Sequence, residues 1–499
     1  MPVERVVGVG GLDLHLDVVR ADGGVGRALE AALREAVRSG RLGAGTRLPG
    51  SRSLAADLGV ARGTVVGVYG QLAAEGWLVA VTGSATRVAA IAAGRGGETV
   101  SPTVAPRGGP MFDLRPGLPD LTSFPRDRWA ASVRRAVAEL DARVLGQPEP
   151  GGVPELRATI ADYVARTRGV RATPDAVVIT TGFGHGLAVV GRALAASGGR
   201  RAATEEPGLA RHRDLLRAAG VVPIPLAVDG HGADPDELPS DVRAVLLTPA
   251  HQHPTGVVLS AERRAAFVAW ARRCRGYIVE DDYDGEFRYR GRPVGALQAL
   301  DPDRVVFAGT ASKTLAPGVR IGWLVVPAAL RDAVLRAVVE TGAAPSAIEQ
   351  LALADLIRRG DHDRHVRRTR LGYARRRADL AECVAAVTDT PLSGISAGLH
   401  ALLPLPSADH ERRVIAAAGR LGLRLHGLHG QGYWRDPDPT RPAALVIGYA
   451  TPPGHAWRRA LEALAGALRT GLDEGRRPAG AGDAQPAVVG SGSSIRARA

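Results

Sequence analysis

The stretch VVFAGTASKTLAPGVRIGW, residues 305–323, contains the only lysine of the chain, Lys313, among 64 basic residues in 499. The abundance of Arg, Ala and Gly points to a GC-rich genome, which drives lysine codons toward arginine. A lysine that survives such drift therefore stands out, with chance survival as the plain alternative. Arginine replaces lysine as a charge, but its guanidinium does not deprotonate to act as an amine nucleophile. Short apolar runs at 305–308 and 322–326 flank this lysine. Similar runs recur at 177–180, 202–204, 221–225, 244–247 and 276–280, separated by helical patterns. That alternation predicts an α/β domain over 111–475 with a mostly parallel central sheet.

The length implies two or three domains. Apolar residues make up 45% and charged residues 23%, an ordinary globular balance. No run of 18 uncharged apolar residues occurs, which argues against a membrane helix. Glu4, Arg5, Asp13 and Asp17 interrupt any basic-then-apolar signal pattern, so a cytoplasmic protein is expected. Cys274 and Cys383 are too few for a disulfide framework or a cysteine zinc site and are expected as small buried side chains. The net charge of +13 favours a polyanionic partner such as nucleic acid.

Residues 1–22 read as an irregular segment. From 26 to 40, Leu29, Leu33, Ala36 and Val37 share a helical face. Two further short helices follow, one with Leu54, Ala55 and Leu58 inward and one from 62 to 74 with Val65, Val68 and Leu72 inward. Only Gly59, Val60 and Ala61 separate them, the spacing of a helix-turn-helix. Runs at 77–81 and 86–89 around Gly83-Ser84 predict a hairpin wing. The domain boundaries drawn on this basis are a DNA-binding domain over 23–91, a linker rich in Ala, Gly, Pro and Thr over 92–110, the α/β domain, and a disordered tail over 476–499.

The string RLGAGTRLPGSRSLAADLGVARGTVVGVYGQLAAEGWLVAVTGSATR, residues 41–87, resembles the GntR-type winged helix-turn-helix. The resemblance implies operator DNA as a partner. It places Arg47, Ser51 and Arg52 at backbone contacts, Arg62 and Thr64 at the start of the recognition helix, and Arg87 on the wing. A helix N-terminus so equipped offers N–H groups, a hydroxyl and a guanidinium to phosphates and base edges. Two departures weaken it: Gly50 and Ala61 stand where the family has serines that open the two helices. The charge is modest, eight arginines against four carboxylates over 23–91. A hairpin that only packs or dimerises is the bland alternative.

Three motifs in order, VLLTPAHQHPTG (245–256), YIVEDDYDGEFRY (277–289) and 305–323, resemble the fold-type I pyridoxal-phosphate aminotransferases. Joined to the winged helix, they resemble the MocR subfamily of GntR regulators over roughly 23–470. The implied fold is a winged helix-turn-helix plus an aminotransferase fold with a smaller C-terminal α+β subdomain, and the implied cofactor is pyridoxal 5′-phosphate. An aldehyde cofactor needs an amine, and Lys313 is the only lysine. By the family pattern Asp281 holds the pyridine nitrogen and Tyr283 the ring hydroxyl, while Glu280, Asp282 and Asp284 are structural or exposed. Thr310, Ser312 and Arg320 surround the phosphate, with backbone N–H groups near Phe183 and Gly184 in TTGFGHGL (180–187). Gln252 or His253 stands beside the ring. The alternative for the whole cluster is an α/β core with one stray lysine.

Several departures bear on activity. Leu209 in EEPGLA occupies the place of a stacking aromatic residue, and Leu145 that of a tyrosine reaching the phosphate across the dimer. AALVIGYA (443–450) lacks the arginine that holds a substrate carboxylate, leaving Arg435 or Arg441 as candidates. RRGDHDRHVRRTRLGYARRR (358–377) carries nine arginines, read as a solvated helix face or as a guide for DNA. AGLH (397–400) reads as a structural turn. The preferred expectation is a regulator with a vestigial aminotransferase domain that senses the cofactor, with or without a small amine or amino acid effector. The resemblance adds a head-to-tail, domain-swapped homodimer. The competing expectations are an active aminotransferase carrying a DNA-binding module, and a regulator whose second domain is only a dimerisation scaffold.

Overall fold

The computed structural model describes residues 8–9, 12–13, 24–79, 85–90, 112–146, 149–291, 294–436 and 438–473. The turn at Gly83-Ser84, the 92–110 linker and the 476–499 tail lie outside these. The chain divides into two units, 1–107 and 108–499.

In the first unit Gly8–Val9 and Leu12–Asp13 pair antiparallel where the sequence reads as irregular. Two-residue strands are too short for periodicity to reveal. Helices α1 (Gly24–Arg38), α2 (Ser51–Leu58) and α3 (Arg62–Ala74) follow. Leu29 and Leu33 of α1, Leu54 of α2, and Val65 and Leu72 of α3 bury into one core, sealed by Leu78 and Val88. These last two belong to the antiparallel strands Leu78–Val79 and Arg87–Val88. Gly59, at φ 63°, ends α2 and turns its N–H back to the carbonyls of Ala55 and Ala56. That left-handed conformation is open to glycine at little cost. Neither Gly50 nor Ala61 supplies a side chain to cap the helix it precedes.

The second unit is built on an eight-stranded sheet. Its order is Val177–Thr180, Gly322–Val325, Val305–Thr310, Tyr277–Asp281, Ala244–Leu247, Arg201–Glu206, Val222–Asp229, Gly232–Ala233. Gly322–Val325 runs antiparallel to both neighbours, and Gly232–Ala233 antiparallel to Val222–Asp229; the other pairings are parallel. From Val177–Thr180 to Arg201–Glu206 the strands are buried along nearly their whole length, which is why most of them read as continuous apolar runs, whereas Val222–Asp229 mixes buried and exposed positions. Phe183–Ala196 and Ala328–Thr341 contribute to one apolar cluster, and Pro154–Arg168 and Ala347–Arg358 to another.

A smaller C-terminal layer has the antiparallel strands His400–Leu405, Ala443–Gly448 and His426–Gly427 under the helices Ala408–Arg420 and Trp457–Asp473. The arginine-rich run occupies the helix Asp361–Ala385 and the residues just before it. Six of its nine arginines are exposed, but Arg376 turns inward. It bonds Asp120 at 2.8 Å and the carbonyls of Ala450 and Pro452. The two cysteines are half-buried, not fully buried, because each sits at the edge of its helix packing. No helix among the described residues is long and apolar enough to cross a membrane.

Two stability outcomes follow from these elements. Ala61→Ser restores a cap for α3 and is expected to stabilise the winged helix by about 1 kcal/mol, read as a raised urea midpoint. His365 is buried and its pKa is pushed down to about 4, chiefly by burial. Because the unfolded chain takes up a proton below about 6.5 and the folded chain does not, stability is lost as pH falls from there toward 4. Urea midpoints of His365→Gln should therefore fall less steeply than those of the native chain between pH 6.5 and 4.5.

Candidate functional site

The carboxyl ends of the parallel strands meet at a cavity of about 410 Å³, the position where open α/β sheets bind ligands. Asp281 ends its strand there, Thr310 the next, and Glu205 lies at the end of a third. Of the ten residues expected at a cofactor site, nine line this cavity: Lys313, Asp281, Tyr283, Thr310, Ser312, Arg320, Phe183, Gly184 and His253.

Lys313 follows the strand Val305–Thr310, and its Nζ donates to the Gly117 carbonyl. Burial pushes the amine pKa below its usual value, partly opposed by Asp281 and Asp284. That direction favours the free base, the nucleophilic form. Asp281 is buried, and its Oδ1 has no hydrogen-bond partner. Burial drives its pKa well up, with Lys313 pulling the other way. Tyr283 donates to the His251 carbonyl at 3.0 Å, and its ring stands edge-on to His253.

Across the cavity, Gly182 at φ 102° leads into the helix Phe183–Ala196, so the first N–H groups of that helix lack intrahelical partners. The Thr310 hydroxyl donates to Ser312 Oγ at 2.9 Å. Arg320 is held at φ 54°, a left-handed backbone that only two non-glycine residues adopt among the described residues. Hydroxyls, a guanidinium and a helix N-terminus together suit a phosphate. The orphaned Asp281 carboxylate suits a protonated ring nitrogen, since a buried charge demands a partner. The residues present therefore fit pyridoxal 5′-phosphate.

Gln252 is the exception and a correction. It is buried off the cavity, donating to the carbonyls of Pro207 and His253 and accepting from Thr255 N and Oγ1. Its amide is saturated by its own loop. Glu280, Asp282 and Asp284 are all buried, so none is exposed. Glu280 accepts from the amides of Leu297 and Gln298, Asp284 pairs with His251 at 2.9 Å, and Asp282 meets Arg168 at 2.6 and 2.9 Å.

Leu209 lines the cavity and packs beside Tyr433, while Leu145 is 63% exposed. Neither candidate for a carboxylate-holding arginine reaches the cavity. Arg441 is ion-paired to buried Glu206 and stacks on Trp434 at 4.9 Å. The Arg435 amide bonds the same carboxylate, and its guanidinium bonds the Pro223 carbonyl. His212, His426 and Tyr433 also line the cavity and carry no sequence signal, since each is isolated in its motif. His400 also lines the cavity, and AGLH was the one signal for it. Gly398, at φ 76°, lies so close to His251 and Asp284 that a Cβ there would fall 2.2 Å from His251 Cε1. The turn has a packing role and also delivers His400 to the site.

In the first unit, Arg47, Arg52, Arg62 and Arg87 are exposed, with Ser51 and Thr64 half-exposed. Arg47 and Arg87 pair across an isolated bridge, and Arg87 Nη1 donates to the Gly45 carbonyl.

The chain matches the family model described as aminotransferase class I and II over residues 118–416 and that of bacterial regulatory proteins, gntR family, over 26–88. It is 34% identical over 489 residues to the probable rhizopine catabolism regulatory protein MocR of Rhizobium meliloti, covering 93% of this chain and 98% of that one. It is 36% identical to the pyridoxine biosynthesis transcriptional regulator PdxR of Corynebacterium glutamicum, covering 81% and 88%. An archaeal alanine:glyoxylate aminotransferase structure shares the fold at a TM-score of 0.64 and 24% identity, covering 71% of this chain and 89% of that one.

The Arg168–Asp282 pair anchors the residue next to Asp281 in a buried layer. Asp282→Asn leaves a buried guanidinium uncompensated and is expected to cost about 3–5 kcal/mol in urea unfolding.

Proposed function

The chain belongs to the aminotransferase class I and II family, in the branch of DNA-binding transcriptional regulators with a gntR-type N-terminal domain, and from that premise we propose that its second unit senses and does not turn over substrate. The observation that supports this reading is that neither Arg441, ion-paired to Glu206, nor Arg435, whose guanidinium bonds the Pro223 carbonyl, lines the cavity, where an amino-acid transaminase would need a guanidinium for the substrate carboxylate. When bound, pyridoxal 5′-phosphate supplies an aldehyde that captures amines and a ring that withdraws electrons. Lys313 would be the amine that holds the aldehyde carbon, and burial, by lowering its pKa, favours the free base that does so. Asp281 accepts from the ring nitrogen and Tyr283 bonds the ring hydroxyl. Thr310, Ser312, Arg320 and the N–H groups of Phe183 and Gly184 hold the phosphate, with His253 beside the ring.

Arg62 and Thr64 meet base edges and phosphates of operator DNA, while Arg47, Ser51, Arg52 and Arg87 fix the backbone. An effector amine that competed with Lys313 for the site would change contacts in the second unit and so shift the population of DNA-competent states. The working form is a cytoplasmic head-to-tail homodimer. The second reading, an active aminotransferase, is favoured by the presence of both Lys313 and Asp281 in the lining of one cavity.

Lys313→Ala should abolish the visible absorbance that develops on mixing with pyridoxal 5′-phosphate and remove any cofactor effect on operator binding at fixed salt. Cofactor-dependent operator binding that survives this substitution unchanged would overturn the sensing model. Transamination at tens of turnovers per second would establish the second reading instead.

A further inference from the structure

Beyond the cofactor residues, the cavity has a second wall made of rings. His253 and His400 lie 4.6 Å apart, His253 and Tyr433 5.6 Å, and His426 and Tyr433 6.5 Å between centroids. All four line the cavity. His400 Nε2 and His426 Nδ1 are buried without hydrogen-bond partners. The other nitrogen of His400 is engaged by the Pro254 carbonyl, which leaves Nε2 as an acceptor in need of a donor. Burial holds these imidazoles in their neutral form.

Of the three arginines that line the cavity, two lie at its phosphate end and the third is spent on backbone carbonyls. Arg320 lies beside Gly182, and Arg211 beside Gly184, at the helix N-terminus that suits the phosphate. Arg213 is buried and spends its guanidinium on the carbonyls of Gly208, Gly432 and Tyr433. A carboxylate placed against the His–Tyr wall would be desolvated without an unengaged guanidinium to meet it, since Arg213 is spent on carbonyls and Arg115, whose charge acts on His426, is paired to Asp113. A hydroxyl has no such cost. It donates to an unpaired imidazole nitrogen and accepts from a neighbouring ring N–H or phenol.

We infer that the effector of this cavity is a primary amine that carries hydroxyl groups and lacks a carboxylate. This rests on the reading of the cavity as a pyridoxal 5′-phosphate site and names the class of amine that site takes. His400 and His426 are its specificity-determining residues, one accepting from a hydroxyl and the other completing the neutral wall.

The test uses the full chain loaded with pyridoxal 5′-phosphate and three matched probes: ethanolamine, serine and ethylamine. Serine is ethanolamine plus a carboxylate, and ethylamine is ethanolamine without its hydroxyl. Each is titrated against the absorbance of the bound cofactor and against operator affinity. Ethanolamine should act at concentrations at least tenfold below serine and below ethylamine. His400→Phe should erase the advantage over ethylamine, and His400→Gln, which keeps a polar group, should retain part of it. His426→Arg, at a half-buried position, should shift the preference toward serine and serves if the phenylalanine variant fails to fold. Serine acting as well as ethanolamine on the native chain overturns the inference, as does equal response to ethylamine. Absence of any Lys313-dependent absorbance with cofactor alone sinks the cofactor reading and this one with it. A normal cofactor spectrum followed by serine preference sinks only the choice of amine.

Discussion

A buried carboxylate with an unpaired oxygen sets the terms for the second unit. Asp281 sits at the end of an interior strand, walled by apolar side chains and by other acids, with Lys313 the nearest cation to oppose its desolvation. Such a group is tolerated only where the fold is rigid enough to hold it and where a ligand completes it. The surrounding layer shows what that rigidity takes. Asp282 is neutralised by Arg168, Glu280 accepts two backbone amides, and Asp284 is tied to His251. The four acids of residues 280–284 thus have four separate fates, decided by which neighbour each meets.

The same economy governs the arginines. The chain has replaced almost every lysine with arginine, so cations are plentiful, yet the cavity wall opposite the phosphate-binding end has none to spare. Arg441, Arg435 and Arg213 are absorbed by a buried glutamate and by backbone carbonyls. A guanidinium has five donors and binds wherever unsatisfied carbonyls cluster. In this protein those donors close loops. The imidazoles left facing the cavity are held neutral by burial, which turns a wall that is cationic in an amino-acid transaminase into one suited to uncharged polar groups.

Part of this was legible without coordinates. The helix-turn-helix showed in the spacing of Leu54, Leu58, Val65 and Leu72, because a short amphipathic helix must repeat its apolar face every three or four residues. The interior strands showed as apolar runs. Lys313 stood out by elimination, and Asp281, Tyr283 and Arg320 by motif order. The choice between Gln252 and His253 was not legible. Adjacent residues in a loop point in different directions, and only the closure of that loop on Thr255 turned the amide away from the cavity.

The sequence by itself determined the two-part organisation, the parallel sheet and the chemistry of the lysine end, since each depends on local periodicity or on a residue type with no substitute. Tertiary structure alone decided the other wall of the site. His212, His400, His426 and Tyr433 come from separate segments of the chain and converge through sheet order and strand register. The fate of Arg441 depended on a glutamate, and that of Arg435 on a carbonyl, each more than two hundred residues away. Contacts of that separation leave no periodic trace, because they are set by how layers pack and not by the pattern within any one element.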